Sequence, residues 1–158
     1  MLRENGKIAE NQNPSHEASR RFTYLTNQID ELYHKVNAKS SLSDSVSWIF
    51  YCLYDMGGPC NQSEFSRLYG ISRKTINSAL SKLEQLGLVK RTAGDGRNVI
   101  VSLTEEGLVL AEKSVEPIIS AEDSVFDSWS PKEKEELLFL TEKYRNDLEN
   151  QFKKRELI

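Results

Sequence analysis

The stretch from Asn61 to Gly87, NQSEFSRLYGISRKTINSALSKLEQLG, decides the fold. Asn61-Gln62-Ser63-Glu64 sets an N-cap candidate three positions ahead of a glutamate, the arrangement in which each side chain satisfies a free backbone N–H of the other residue. A short helix is predicted to start there, with Phe65 and Leu68 on its apolar side, and to end at Gly70 in a tight turn. Ser72 offers a fresh N-cap. Ile76, Leu80, Leu83 and Leu86 then recur at three- and four-residue steps along a second helix, closed by Gly87. Two short helices joined across a glycine turn describe a helix-turn-helix.

After Gly87 the period becomes extended. Leu88 to Thr92 and Asn98 to Leu103 read as two strands around Gly94-Asp95-Gly96, whose Asp-Gly pair is a strong hairpin signal and predicts a wing. Upstream, Phe22, Leu25, Ile29, Leu32, Tyr33 and Val36 share one stripe of a helix. A second helix is expected from Ser43, presenting Val46, Ile49, Phe50, Leu53 and Tyr54 until Gly57, Gly58 and Pro59 stop it. Downstream, Thr104-Glu105-Glu106-Gly107 caps what reads as one long helix through Leu108, Ala111, Val115, Ile118 and Ile119, kinked at Pro117. Ser130-Pro131-Lys132-Glu133 opens the last helix, with Leu137, Leu140, Tyr144, Leu148 and Phe152 along its apolar seam.

The expected architecture is therefore mainly α with a small β-hairpin wing: a winged helix-turn-helix between N- and C-terminal dimerisation helices. Residues 1–15, polar and without apolar periodicity, are expected to be disordered. Residues 16–158 are expected to form one domain, with the winged core over about 43–103 and the dimerisation helices over 16–40 and 104–158.

Charge is divided along the 158 residues in a way the net value of −3 conceals. From Asn61 to Leu103 seven basic residues face three acids, a net +4, while the remainder carries 14 basic against 21 acidic residues, a net −7. A basic middle between acidic flanks points to one phosphate-facing surface on an otherwise acidic body. The apolar runs are far shorter than the roughly 18 residues of a membrane span, and the first twenty residues lack the apolar core of a secretion signal, so no membrane partner and a cytoplasmic location are expected. Two cysteines, Cys52 and Cys60, fit neither a disulfide scaffold nor a zinc site, and His16 and His34 stand apart from them. No metal and no cofactor are expected. Without a Gly-rich phosphate loop, a G-x-S-x-G elbow or a metal-ligand motif, the chain does not read as an enzyme.

The chain resembles the MarR family of winged helix-turn-helix transcriptional regulators over roughly Phe22 to Phe152. The resemblance is carried by Gln62 to Phe65, Ile71 to Ile76, Leu83 to Val89, and the wing Asp95-Gly96-Arg97 leading to Val101 through Gly107. It implies a homodimer on double-stranded DNA, a repressor at a pseudo-palindromic operator. It also implies that Arg97 of the wing enters the minor groove or grips its phosphates, with Asp95 positioning that arginine. On the second helix of the motif Ser72, Arg73, Lys74, Thr75, Asn77, Ser78, Ser81 and Lys82 are the candidate DNA contacts. Its N-terminal turns normally reach base edges, Asn77 can bond an adenine bidentately, and Arg73 or Lys74 can read guanine or touch phosphate. Lys90 and Arg91 on the wing complete the set; a charged hairpin edge that blocks sheet association is the competing reading of these wing cations.

Tyr24, Tyr33, Trp48, Phe50, Tyr51 and Tyr54 are candidates for an effector pocket of the kind the family uses for small aromatic compounds, with plain core packing as the alternative. Cys60, just before a capped helix, and Cys52 are candidates for a redox-sensing thiol, with buried structural cysteines as the alternative. A winged-helix module that binds another protein and no DNA is the main competing function.

Overall fold

The computed structural model describes residues 14–39 and 42–158. The chain divides into two compact units, the first ending at Thr104 and the second running Glu105–Ile158. That boundary falls directly after the winged core read from the sequence.

The first unit contains α1 (Pro14–Asn37), α2 (Asp44–Asp55), β1 (Cys60–Asn61), α3 (Gln62–Tyr69), α4 (Arg73–Gln85), β2 (Val89–Ala93) and β3 (Val99–Leu103). Helix α1 begins inside the segment expected to be disordered: Pro14 has no backbone N–H to leave unsatisfied in a first turn, and Pro14 and Ser15 are helical. Residues 1–13 of that segment lie outside the described residues.

The core forms where the apolar stripes meet. Ile49, Phe50, Cys52 and Leu53 of α2, Phe65 of α3, Ile76, Ala79, Leu80 and Leu83 of α4, and Val89 and Val101 of the sheet are all buried. Fully burying one such large side chain contributes about 1.5–3 kcal/mol, so the helix-turn-helix is held from beneath while its polar side stays outward. Gly70 takes φ +66°, a left-handed conformation that glycine adopts without steric cost, and its N–H closes α3 on the carbonyl of Ser66 at 3.1 Å.

Three strands, not two, make the sheet, in the order β1-β3-β2 and antiparallel throughout. Strand β1 pairs Cys60 with Val101 and Asn61 with Ile100. Two residues are too few to display an alternating pattern, so this strand has no signature in the sequence. Its formation changes the expected cap. Asn61 stands at the N-cap of α3 but makes no side-chain capping hydrogen bond, and Glu64 pairs instead with Arg67 at 2.9 Å. The wing hairpin closes through Gly94 N–H to Asn98 O at 2.9 Å and Asn98 N–H to Asp95 O at 3.2 Å, with Gly96 at φ +66°.

The second unit contains α5 (Glu105–Ser114), α6 (Glu116–Asp127) and α7 (Pro131–Lys154). The expected kinked helix is two helices. Pro117 sits in the first turn of α6, where its missing N–H is harmless, whereas in a continuous helix its ring would clash with the preceding turn. The capping box of α7 is formed as expected: Glu133 N–H donates to Ser130 Oγ at 3.3 Å and Ser130 N–H to Glu133 Oε2 at 2.8 Å. No residue of α7 is buried; Leu137, Leu140, Tyr144 and Phe152 are exposed along it. Among the described residues no helix is long and apolar enough to cross a membrane.

Candidate nucleic-acid interface

Burial of Ile76, Leu80 and Leu83 fixes the rotation of α4, so Arg73, Lys74, Asn77, Ser78 and Lys82 are exposed on its other side. Ser72 caps the helix: its Oγ accepts from the N–H of Thr75 at 3.1 Å, and the two hydroxyl oxygens stand 2.8 Å apart. These two side chains are occupied in building the helix start that presents Arg73 and Lys74.

The cations of this unit fall into two groups. Arg67 and Arg91 are held by Glu64 and Glu84. Among the described residues, Arg73, Lys74, Lys82, Lys90 and Arg97 form no ion pair. Arg97 is exposed at the wing, and Asp95, expected to position it, forms no ion pair with it either. Arg91 departs most from its expected role. Its Nε donates to Glu84 Oε2 at 3.1 Å and its guanidinium also reaches Ser81 Oγ at 3.4 Å, so Ser81 and Arg91 face one another between α4 and β2.

Two residues outside the candidate set enter through tertiary contacts. Gln62, the first residue of α3, donates its Nε2–H to Asn77 Oδ1 at 2.6 Å. Glu84 holds Arg91, and that guanidinium keeps the Glu84 carboxyl below its usual range. Neither was visible to helical periodicity, because each contact joins residues on different elements.

The six aromatic candidates do not share one environment. Phe50 is buried in the core, a correction to its assignment to a pocket: its position on α2 faces the same way as Ile49 and Leu53. Tyr24 and Tyr33 are exposed on α1. Trp48 stacks on Tyr51 at 5.2 Å and meets Tyr69 edge-on at 5.9 Å. The Tyr69 hydroxyl donates to Asp55 at 2.6 Å, and burial together with this carboxylate pushes its pKa up. Tyr54 is half-buried on α2.

Cys52 and Cys60 are both buried and free. Burial, aided by Asp55, pushes the Cys52 thiol up to about 12, and burial, aided by Glu64, pushes Cys60 up to about 11. Desolvation is the larger cause at both thiols and favours the neutral S–H form. Among the described residues no group of three or more His, Cys, Asp or Glu could hold a metal.

The sequence pattern of the MarR family matches residues 40–98, the segment that holds α2 through β2 and the hairpin turn of the wing. The HTH-type transcriptional regulator PecS of Dickeya dadantii is 32% identical over 126 residues, covering 77% of this chain and 76% of that protein. The chain belongs to the MarR family. NMB1585, a MarR family regulator from Neisseria meningitidis, has the same fold, with a TM-score of 0.73 at 20% identity over 86% of this chain and 96% of that one. The fold is also that of MepR of S. aureus, solved as a MepR–DNA complex, with a TM-score of 0.65 at 19% identity over 83% of this chain and 97% of that one. In this MarR-family transcriptional regulator Arg73, Lys74, Lys82, Lys90 and Arg97 lie within the segment that the family pattern covers.

Proposed function

We propose that this MarR-family regulator acts as a homodimer that binds a pseudo-palindromic DNA operator through α4 and the wing, and represses the genes it covers. One observation carries the reading: five cations on α4 and the wing, Arg73, Lys74, Lys82, Lys90 and Arg97, stand exposed and, among the described residues, without ion pairs, in a chain whose net charge is −3. Unpaired cations on a helix-turn-helix are free to displace condensed counterions from a phosphate backbone, which is the main source of affinity in such complexes. The MepR complex supports the same use of this fold. Dimer formation would cover the exposed apolar residues of α1 and α7 and would set two copies of α4 about 10 base pairs apart, one turn of duplex.

Titration of the purified protein against a random duplex at several salt concentrations tests this. If all five cations of each copy meet phosphate, log affinity falls against log salt with a slope approaching about −9. Binding with no salt dependence, or none at all, would favour the protein-binding module instead. Genome-wide mapping of bound fragments would then yield the operator and the controlled genes together.

A further inference from the structure

We infer that Gln62 sets the base preference of the recognition helix by holding the Asn77 amide in one orientation, so that Asn77 reads guanine and not adenine. This rests on the proposed placement of α4 in a major groove. An asparagine reads adenine bidentately only when its amide nitrogen donates to adenine N7 and its oxygen accepts from adenine N6. Here one of the two lone pairs of that oxygen is engaged, and the direction of the amide with it: Asn77 Oδ1 accepts from Gln62 Nε2 at 2.6 Å, which turns the oxygen toward α3. The Nδ2 group of Asn77, with its two hydrogens, donates to no side chain among the described residues. Guanine offers two acceptors, N7 and O6, on its major-groove edge, and matches a donor alone.

Gln62 is well placed to act this way. It is the first residue of α3, so the buried Phe65 that anchors this helix fixes the backbone that carries Gln62, and Asn77 follows directly on the buried Ile76 of α4. The contact spans fifteen residues and joins the two helices of the motif. Asn77 is exposed apart from this contact, so its orientation is set from one side.

The test selects bound sequences from a random duplex library with the full-length protein and with Asn77→Ala, Gln62→Ala and Gln62→Glu. Asn77→Ala identifies the base pair that this side chain reads. At that pair the unaltered protein is expected to prefer G·C over A·T, and Gln62→Ala to shift the ratio toward A·T by roughly fivefold or more, since the freed oxygen restores bidentate adenine reading. Gln62→Glu, whose carboxylate only accepts, should turn the Asn77 amide so that its oxygen faces the groove, again abolishing the guanine preference. A glutamate is favourable in the first turn of a helix, so this variant keeps the test alive if Gln62→Ala unfolds. Selection of adenine by the unaltered protein, or an unchanged preference at that pair in both Gln62 variants, overturns the inference while leaving DNA binding intact. Failure of the unaltered protein to bind any duplex overturns the proposed function itself.

Discussion

Arg91 of the wing root lies against Glu84 of the recognition helix, its Nε 3.1 Å from Oε2, which ties β2 to the C-terminal part of α4. The pair removes one cation from the set proposed to face DNA and adds a carboxylate near it. Replacing Glu84 by Gln should therefore release Arg91, strengthen binding to random duplex at low salt, and steepen the salt slope by about one unit per copy. The double variant Glu84→Gln/Arg91→Gln keeps the local net charge and is expected to leave the slope unaltered. Fluorescence anisotropy over a salt series reads both; an unchanged slope in the single variant would mean that Arg91 never reaches phosphate.

Arg97 provides the contrast, because among the described residues it forms no ion pair, and it sits on the wing hairpin. Arg97→Ala should weaken binding to operator and random duplex by similar factors and reduce the magnitude of the salt slope by about one unit per copy. The minor groove separates little beyond A·T from G·C, so base preference should hardly change. Asp95→Ala should have a smaller effect. Loss confined to the operator would assign Arg97 to base reading instead.

A titrating contact ties α1 to the start of α2. His34 Nδ1 and Asp44 Oδ2 are 2.8 Å apart, and this hydrogen bond, the Asp44 charge and the nearby Glu31 raise the His34 pKa above 6.5. A raised histidine contributes stability that is fully present below its unfolded pKa and is lost as pH rises through its folded one. The melting-temperature difference between the unaltered protein and His34→Gln should thus be largest below the ordinary histidine pKa of about 6.5 and fade as pH rises above it. A difference that grows with pH would contradict this pairing.

The buried thiols carry a chemical expectation. With Cys52 up to about 12 and Cys60 up to about 11, almost no thiolate exists at neutral pH, and the thiolate is the reactive form. Ellman's reagent should label neither cysteine in the native protein within minutes and both after denaturation. Rapid native labelling of Cys60 would revive a redox-sensing role.

The exposed seam of α7 bears on assembly. Leu137→Glu combined with Leu140→Glu places two charges on a face that a second copy would cover, and a buried unpaired carboxylate is strongly unfavourable. Sedimentation velocity at about micromolar concentration should then report monomer where the unaltered protein gives dimer. A dimer in both would move the interface elsewhere.

Much of the candidate site was legible in the residues themselves. The three- and four-residue spacing of Ile76, Leu80 and Leu83 dictates which side of α4 is buried, and the opposite side must then carry Arg73, Lys74 and Asn77. Ser72 and the Ser130–Glu133 capping box were readable for the same reason: the physics of a helix end lies within four residues. Pro117 was legible as a disturbance but not as a break, since only the path of the chain decides whether a proline bends a helix or begins a new one.

The sequence alone thus determined the helices, the wing and the division of charge, because local backbone preference and apolar periodicity act over a few residues. Tertiary structure decided the rest. It added β1 through pairing with β3, drew Asn61 into the ladder, and buried both thiols. It also withdrew Arg91 onto Glu84 and turned the Asn77 amide toward Gln62. The pairings join residues on different elements, and a hydrogen bond or ion pair of that kind depends on distances that only the packed core sets.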